Sequence, residues 1–150
     1  MELTVDKALK LLKEAENTTT DMGWINHSKC VGETASVIAN KLNLDVDKAQ
    51  ALGYIHDIGK LVGEFREHVM NGYNYLKELG YDEEYANICL THSYLNNDVY
   101  CTAGGIPMDI PFRTEFIKNH EYTIYEKIIN LCDLMCTSKR MLLEQRIDEI

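Results

Sequence analysis

Proline is nearly absent. Only Pro107 and Pro111 occur, both within "TAGGIPMDIPF", so the chain has one strong proline break and elsewhere is free to run as helix. No stretch alternates β-branched with polar residues, which argues against a half-buried sheet. No apolar run is long enough to span a bilayer, and the start, "MELTVDKALKLLKEAEN", is an acid-containing amphipathic segment rather than a signal or transit peptide. Basic residues are outnumbered, 15 Lys and Arg against 24 Asp and Glu, for a net charge of -9. No basic run is dense enough to track a phosphate backbone, so duplex nucleic acid and membrane are excluded as expected partners. Bound divalent cations would reverse the sign locally. There is no C-x-x-C pair. The five cysteines, Cys30, Cys89, Cys101, Cys132 and Cys136, are odd in number and read as reduced, buried thiols of a cytoplasmic protein. Cys132 and Cys136 are spaced i,i+4, but two thiols alone make a poor metal site.

What is present reads as helix. A chain of 150 residues fits one domain, 1–150, with a sizeable core. The expected fold class is all-α, with six or seven helices. The first covers 4–16, capped by Thr4; the second covers 25–42. The third starts at 45–47, with Asp47 and Gln50 at capping-box spacing, and ends near Asp57. The fourth covers 65–79 and stops at Gly80; the fifth follows Asp82 and ends near His92. A loop at 96–111 contains Gly104 and Gly105 and is a candidate lid, since long irregular loops are often functional, though the sequence does not decide whether it is one. Another helix starts at Thr123, with capping-box spacing to Glu126, and ends near Met135. Residues 139–150 are rich in helix formers.

Residues four apart share a helix face. His27 shares one with Val31, Ala35, Ile38 and Leu42. His56 follows Leu52; His68 precedes Gly72, Tyr75, Leu76 and Leu79; His92 follows Tyr85, Ile88 and Cys89. Asp133, in "YEKIINLCDLMC", lies on the face of Ile129, Cys132 and Cys136. Five polar groups from five helices therefore point inward, and Asp57, beside His56 in "ALGYIHDIGKLV", makes a sixth. One buried histidine is ordinarily a satisfied core residue. A shared divalent metal accounts for all six at once, because imidazole and carboxylate are common ligands of such ions and adjacent helices can aim them at one point. His120, in the polar connector "IKNHEYT", is expected at the surface.

The ordered set His27, His56-Asp57 and Asp133 resembles the HD-domain superfamily of metal-dependent phosphohydrolases, and "HDIGK" at 56–60 is similar to its HDIG subgroup. "HVMNGYNYLKELG", from His68, and "ICLTHS", with His92, resemble the segments that hold further ligands in the two-metal branch. The resemblance implies one or two divalent ions (Fe, Mn, Zn, Ni or Co). One would take His27, His56, Asp57 and Asp133. The other would take Asp57, His68 and His92, with Asp57 as the bridging, catalytic carboxylate. "THSY" and "CTAGGIP" depart from the motifs of the cyclic-dinucleotide subfamily, so cyclic di-GMP is not the expected substrate.

The implied reaction is metal-dependent hydrolysis of a phosphate ester or phosphoanhydride, in a nucleotide or another small phosphorylated molecule. Lys60, one turn past His56, is placed to contact a substrate phosphate or the leaving oxygen; Arg66 and Arg113 are weaker candidates for the same anion. Thr91 and Ser93 flank His92 and are candidates to orient it; Glu33 reads as a solvated residue, with a base as its weaker alternative. Two other readings fit the same residues: a di-iron oxygenase resembling some HD proteins, and a metal-stabilised binding or sensing module without turnover. Oligomeric state is not legible in the sequence.

Overall fold

A computed structural model describes residues 1–92, 110–137 and 139–145, apart from the side chains of Arg66, Ile110, Pro111 and Arg113. The described residues form an all-α fold. Its α-helices are α1 (Val5–Glu16), α2 (Gly23–Lys41), α3 (Val46–Ile55), α4 (His68–Glu78), α5 (Glu83–Thr91), α6 (Ile110–Asn119) and α7 (Ile124–Met135). Short 3-10 turns, Ile58–Leu61 and Phe65–Glu67, link α3 to α4. The only described β pairing is an isolated antiparallel bridge between Cys136 and Arg140. No described helix is long and apolar enough to cross a membrane.

Local chemistry sets several helix starts. Thr4 accepts a hydrogen bond from the Lys7 amide at the start of α1. At α7 the Thr123 hydroxyl accepts from the Glu126 amide while the Glu126 carboxylate accepts from the Thr123 amide, a complete capping box. At α3 the expected cap is corrected. Asp45, not Asp47, is the N-cap, and its carboxylate accepts from the Lys48 amide at 3.1 Å. Asp45 is the last residue with extended backbone, so only its side chain can fold back on the free amides.

α2 and α3 cross unusually closely. A methyl on Gly53 would lie 2.5 Å from the Cα of Gly32, and one on Gly32 would lie 2.4 Å from the Tyr54 ring. The glycines let the two backbones touch. Around this crossing Leu12, Ile25, Val31, Leu52, Ile55, Leu76, Ile88 and Ile129 are buried in one cluster. Each contributes about 1.5–3 kcal/mol by leaving water.

Other expectations need revision. Residues 65–67 form a 3-10 turn, so α4 begins at His68 itself. α6 was not foreseen. Its Pro111 lies in the first turn, where a missing N–H costs nothing, and its Ile117 joins Val69 and Leu90 in a second apolar cluster. Residues 139–142 are not helical. Helix begins there only at residue 143, and 146–150 lie outside the described residues. So do the candidate lid at 96–111, apart from the start of α6, and Ser93 and Cys101.

The candidate metal centre

The ends of five helices converge on the centre. His27 lies in the second turn of α2, and His56 and His92 are the C-caps of α3 and α5. His68 is the first residue of α4 and Asp133 is near the end of α7. Asp57 lies between α3 and the first 3-10 turn. α7 also ties down the end of α5. The buried Asn130 amide donates to the Thr91 carbonyl at 3.1 Å, next to His92.

All four imidazoles are oriented in the same way. The Nδ1 of His27 is 3.1 Å from the Thr137 carbonyl, and that of His56 is 2.7 Å from the Gly53 carbonyl. The Nδ1 of His68 is 2.7 Å from the Phe65 carbonyl, and that of His92 is 3.0 Å from the Ile88 carbonyl. A carbonyl only accepts, so each Nδ1 carries hydrogen and each Nε2 is left to face the centre. Fixing the tautomer through the far ring nitrogen is what a metal-binding histidine requires.

The Nε2 atoms fall into two groups around Asp57. Its Oδ2 is 3.8 Å from His27 Nε2 and 3.5 Å from His56 Nε2. Its Oδ1 is 3.3 Å from both His68 Nε2 and His92 Nε2. Asp133 Oδ1 joins the first group, 2.8 Å from His27 and 3.4 Å from His56. Two trios, His27–His56–Asp57 and Asp57–His68–His92, have ligand atoms close enough to hold an ion.

The donor set fits a metal. His27 Nε2 and His56 Nε2 are 3.3 Å apart. With both Nδ1 atoms protonated, two neutral rings would aim lone pairs at each other, and only a cation or an added proton removes that repulsion.

In the metal-free chain that proton sits on His56. Burial opposes its charge, but Asp57 and Asp133 outweigh burial and push the imidazole up to about 9. Burial also opposes ionisation of Asp57, yet His56, His68 and His92 hold its carboxyl well below the usual range. Asp133, likewise resisted by burial, is held low by His27 and His56. His92 is driven down by burial and stays neutral.

These shifts give a testable pH profile. The folded pKa of His56 lies above its unfolded value of 6.5, so its contribution is present below that pH and is lost as pH rises toward 9. The folded pKa of His92 lies below 6.5, so stability falls as pH drops through that value. Metal-free protein should therefore be most stable near pH 6.5, with each proton worth at most about 1.4 kcal/mol per pH unit. Urea unfolding with a chelator, from pH 5 to 10, measures this. A flat profile between 6.5 and 9 would show that His56 carries no extra proton.

The centre opens into a cavity of about 520 Å³. Lys60 lines it, with Nζ 3.1 Å from Asp57 Oδ2. So do Trp24 and Phe65, the latter 43% exposed and with its ring 5.9 Å from the Lys60 ammonium. All six residues read as inward-pointing from the sequence, and Lys60, thus come together. The side chains of Arg66 and Arg113 lie outside the described residues.

Glu33 is exposed and lines a different cavity, as its solvated reading expects, so it supplies no base here. Two expectations fail. The Thr91 hydroxyl is buried without a hydrogen-bond partner among the described residues; the Ile88 carbonyl orients His92 instead. His120 is not a surface residue. Its side chain is 17% exposed, its Nε2 lies 2.8 Å from the buried Glu126 carboxylate, and its ring stacks on Phe116. The polar look of "IKNHEYT" concealed α6, which supplies that stacking partner.

Sequence reasoning also missed Phe65, Thr137 and Asn130. An aromatic next to the HDIG segment was a signal for Phe65. Thr137 acts through its carbonyl, which every residue has, so nothing in its identity marked it.

Several known proteins are similar to this chain in sequence. Ribonuclease Y of Fervidobacterium nodosum is 34% identical over 87 residues, covering 56% of this chain and 17% of its own length. The tRNA (cytidine(56)-2'-O)-methyltransferase of Thermoplasma volcanium is 30% identical over 126 residues, 83% of this chain and 35% of the methyltransferase. An uncharacterized protein of Methanocaldococcus jannaschii is 34% identical over 88 residues, 58% of this chain and 52% of that protein. The chain spans only 15–17% of the length of the ribonuclease Y relatives. No solved structure matches. The HD domain profile matches residues 24–137, from the turn before His27 to the carbonyl that orients it, and the chain belongs to the HD-domain superfamily of metal-dependent phosphohydrolases.

Proposed function

We propose that the protein hydrolyses a phosphate ester or phosphoanhydride of a nucleotide or another small molecule at a centre of one or two divalent transition-metal ions. The observation that carries this reading is the Asp57 carboxylate, with one oxygen toward His27 and His56 and the other toward His68 and His92. His27, His56, Asp57 and Asp133 would hold one ion, and Asp57, His68 and His92 the other; Fe, Mn, Zn, Ni and Co all suit such ligands. Bound there, the ions acidify water and neutralise phosphate charge.

The remaining chemistry belongs to the chain. Lys60 gives a mobile ammonium at the cavity wall, 3.1 Å from Asp57, placed to hold a phosphate oxygen or steady the leaving oxygen. Phe65 offers an exposed ring beside that ammonium, against which a base can stack. Two relatives carry names that refer to RNA, which supports a nucleotide-type substrate. The test is hydrolysis of p-nitrophenyl phosphate and a nucleotide panel by protein loaded with Mn, Fe, Co, Ni or Zn. Turnover with at least one pairing is expected; inactivity with all of them overturns the reading.

His68→Ala separates the two subsites. It removes one ligand from the Asp57–His68–His92 trio and leaves the other trio intact. Elemental analysis should find one ion fewer per chain, with the first retained. Unchanged metal content and rate would leave a single-metal centre.

A further inference from the structure

Cys30, on α2, and Cys136, at the end of α7, are 106 positions apart in sequence, yet their sulfurs are 3.0 Å apart. That is inside ordinary non-bonded contact, and roughly 1 Å of approach would reach the bonded distance of about 2.05 Å. Cys30 is half-buried, whereas the other described cysteines are buried. It lines a second cavity, of about 670 Å³, on the flank of α2. Cys136 lines the cavity of the metal centre. The two thiols thus form part of the wall between the two cavities, and a small oxidant in the second cavity reaches Cys30 first.

We propose that Cys30 and Cys136 are an oxidation site at which a hydroperoxide converts the pair to a disulfide. The Cys30 sulfur attacks the peroxide, the O–O bond breaks, and Cys30 becomes a sulfenic acid with release of water or the alcohol. The Cys136 sulfur then attacks that sulfur. Its proton leaves with the sulfenic hydroxyl as water as the S–S bond forms. Two thiols are oxidised, one peroxide is reduced, and no other reactant is needed.

The bond would tie two parts of the metal centre's frame together. α2 carries His27 three residues before Cys30, and Thr137, next to Cys136, supplies the carbonyl that orients His27. A disulfide therefore staples His27's helix to His27's own hydrogen-bond acceptor. It also closes a loop of more than 100 residues, which restricts the unfolded chain strongly.

The test uses the whole protein, fully reduced and then treated with one equivalent of hydrogen peroxide. Peptide mapping should recover a peptide linking Cys30 to Cys136, and Tm should rise by about 10 °C and return on reduction. Cys30→Ser should lose both the linked peptide and the rise. Thiols that stay reduced, a dominant link between any other cysteines, or an equal Tm rise in Cys30→Ser would each overturn the proposal. The mapping on unaltered protein decides the matter even if the variant folds poorly.

Discussion

Asp57→Ala is expected to abolish hydrolysis and strip most of the bound metal. The carboxylate is almost completely buried, and its two oxygens face four imidazoles and the Lys60 ammonium. It is the one group common to both trios, so its removal weakens both subsites at once, whereas loss of His68 weakens one. A fall in kcat on the order of 10³-fold or more is the scale for losing a preorganised electrostatic group. Truncation also leaves the charge on His56 with less compensation in a buried site, which is costly. Asp57→Asn separates the two effects. It keeps the shape of the side chain while removing its charge, so it should fold and still hold little metal. Full metal content in a folded Asp57→Asn protein would show that Asp57 is not a ligand.

Gly59→Ala is expected to be the most damaging change outside the ligand set, although it adds one methyl group. That methyl would lie 1.7 Å from the His68 carbonyl oxygen and 2.6 Å from the Gly72 amide nitrogen. Both are backbone atoms of α4, so no side chain can rotate away. Either the 3-10 turn that follows Asp57 moves or the start of α4 carrying His68 moves. Overpacking of well-filled interiors costs about 1–3 kcal/mol, and a rigid backbone contact puts this case at or above the upper end. Chemical denaturation should show a loss of about 3 kcal/mol or more, and the protein that remains folded should bind fewer ions. A variant as stable and as metal-rich as the parent would show that α4 does not press on this turn.

This explains why the glycine follows the His-Asp pair. At Gly59 the backbone after the His-Asp pair meets the backbone of α4 directly.

Much of the architecture was legible in the residues because the signals were local. Helical periodicity put His27, His56, His68, His92 and Asp133 on apolar faces, and Thr4, Thr123 and Glu126 marked helix starts through hydrogen bonds within three residues. Errors arose where local signals competed. Asp45 and Asp47 are both good caps, and only the backbone angle decides between them. α6 hid behind its proline, and with it the apolar stack that draws His120 inward.

The helical class and the inward set of histidines and aspartates follow from the spacing of residue types along the chain, which the residues alone carry. Tertiary structure decided the rest of the centre. The four carbonyls that turn each Nε2 inward, the division of Asp57 between two trios, the Phe65 ring beside Lys60 and the Cys30–Cys136 contact all join groups from different elements. Main-chain carbonyls carry no residue identity, and distances across helices follow from how close the backbones pack. That information exists only once α2, α3, α4, α5 and α7 have come together.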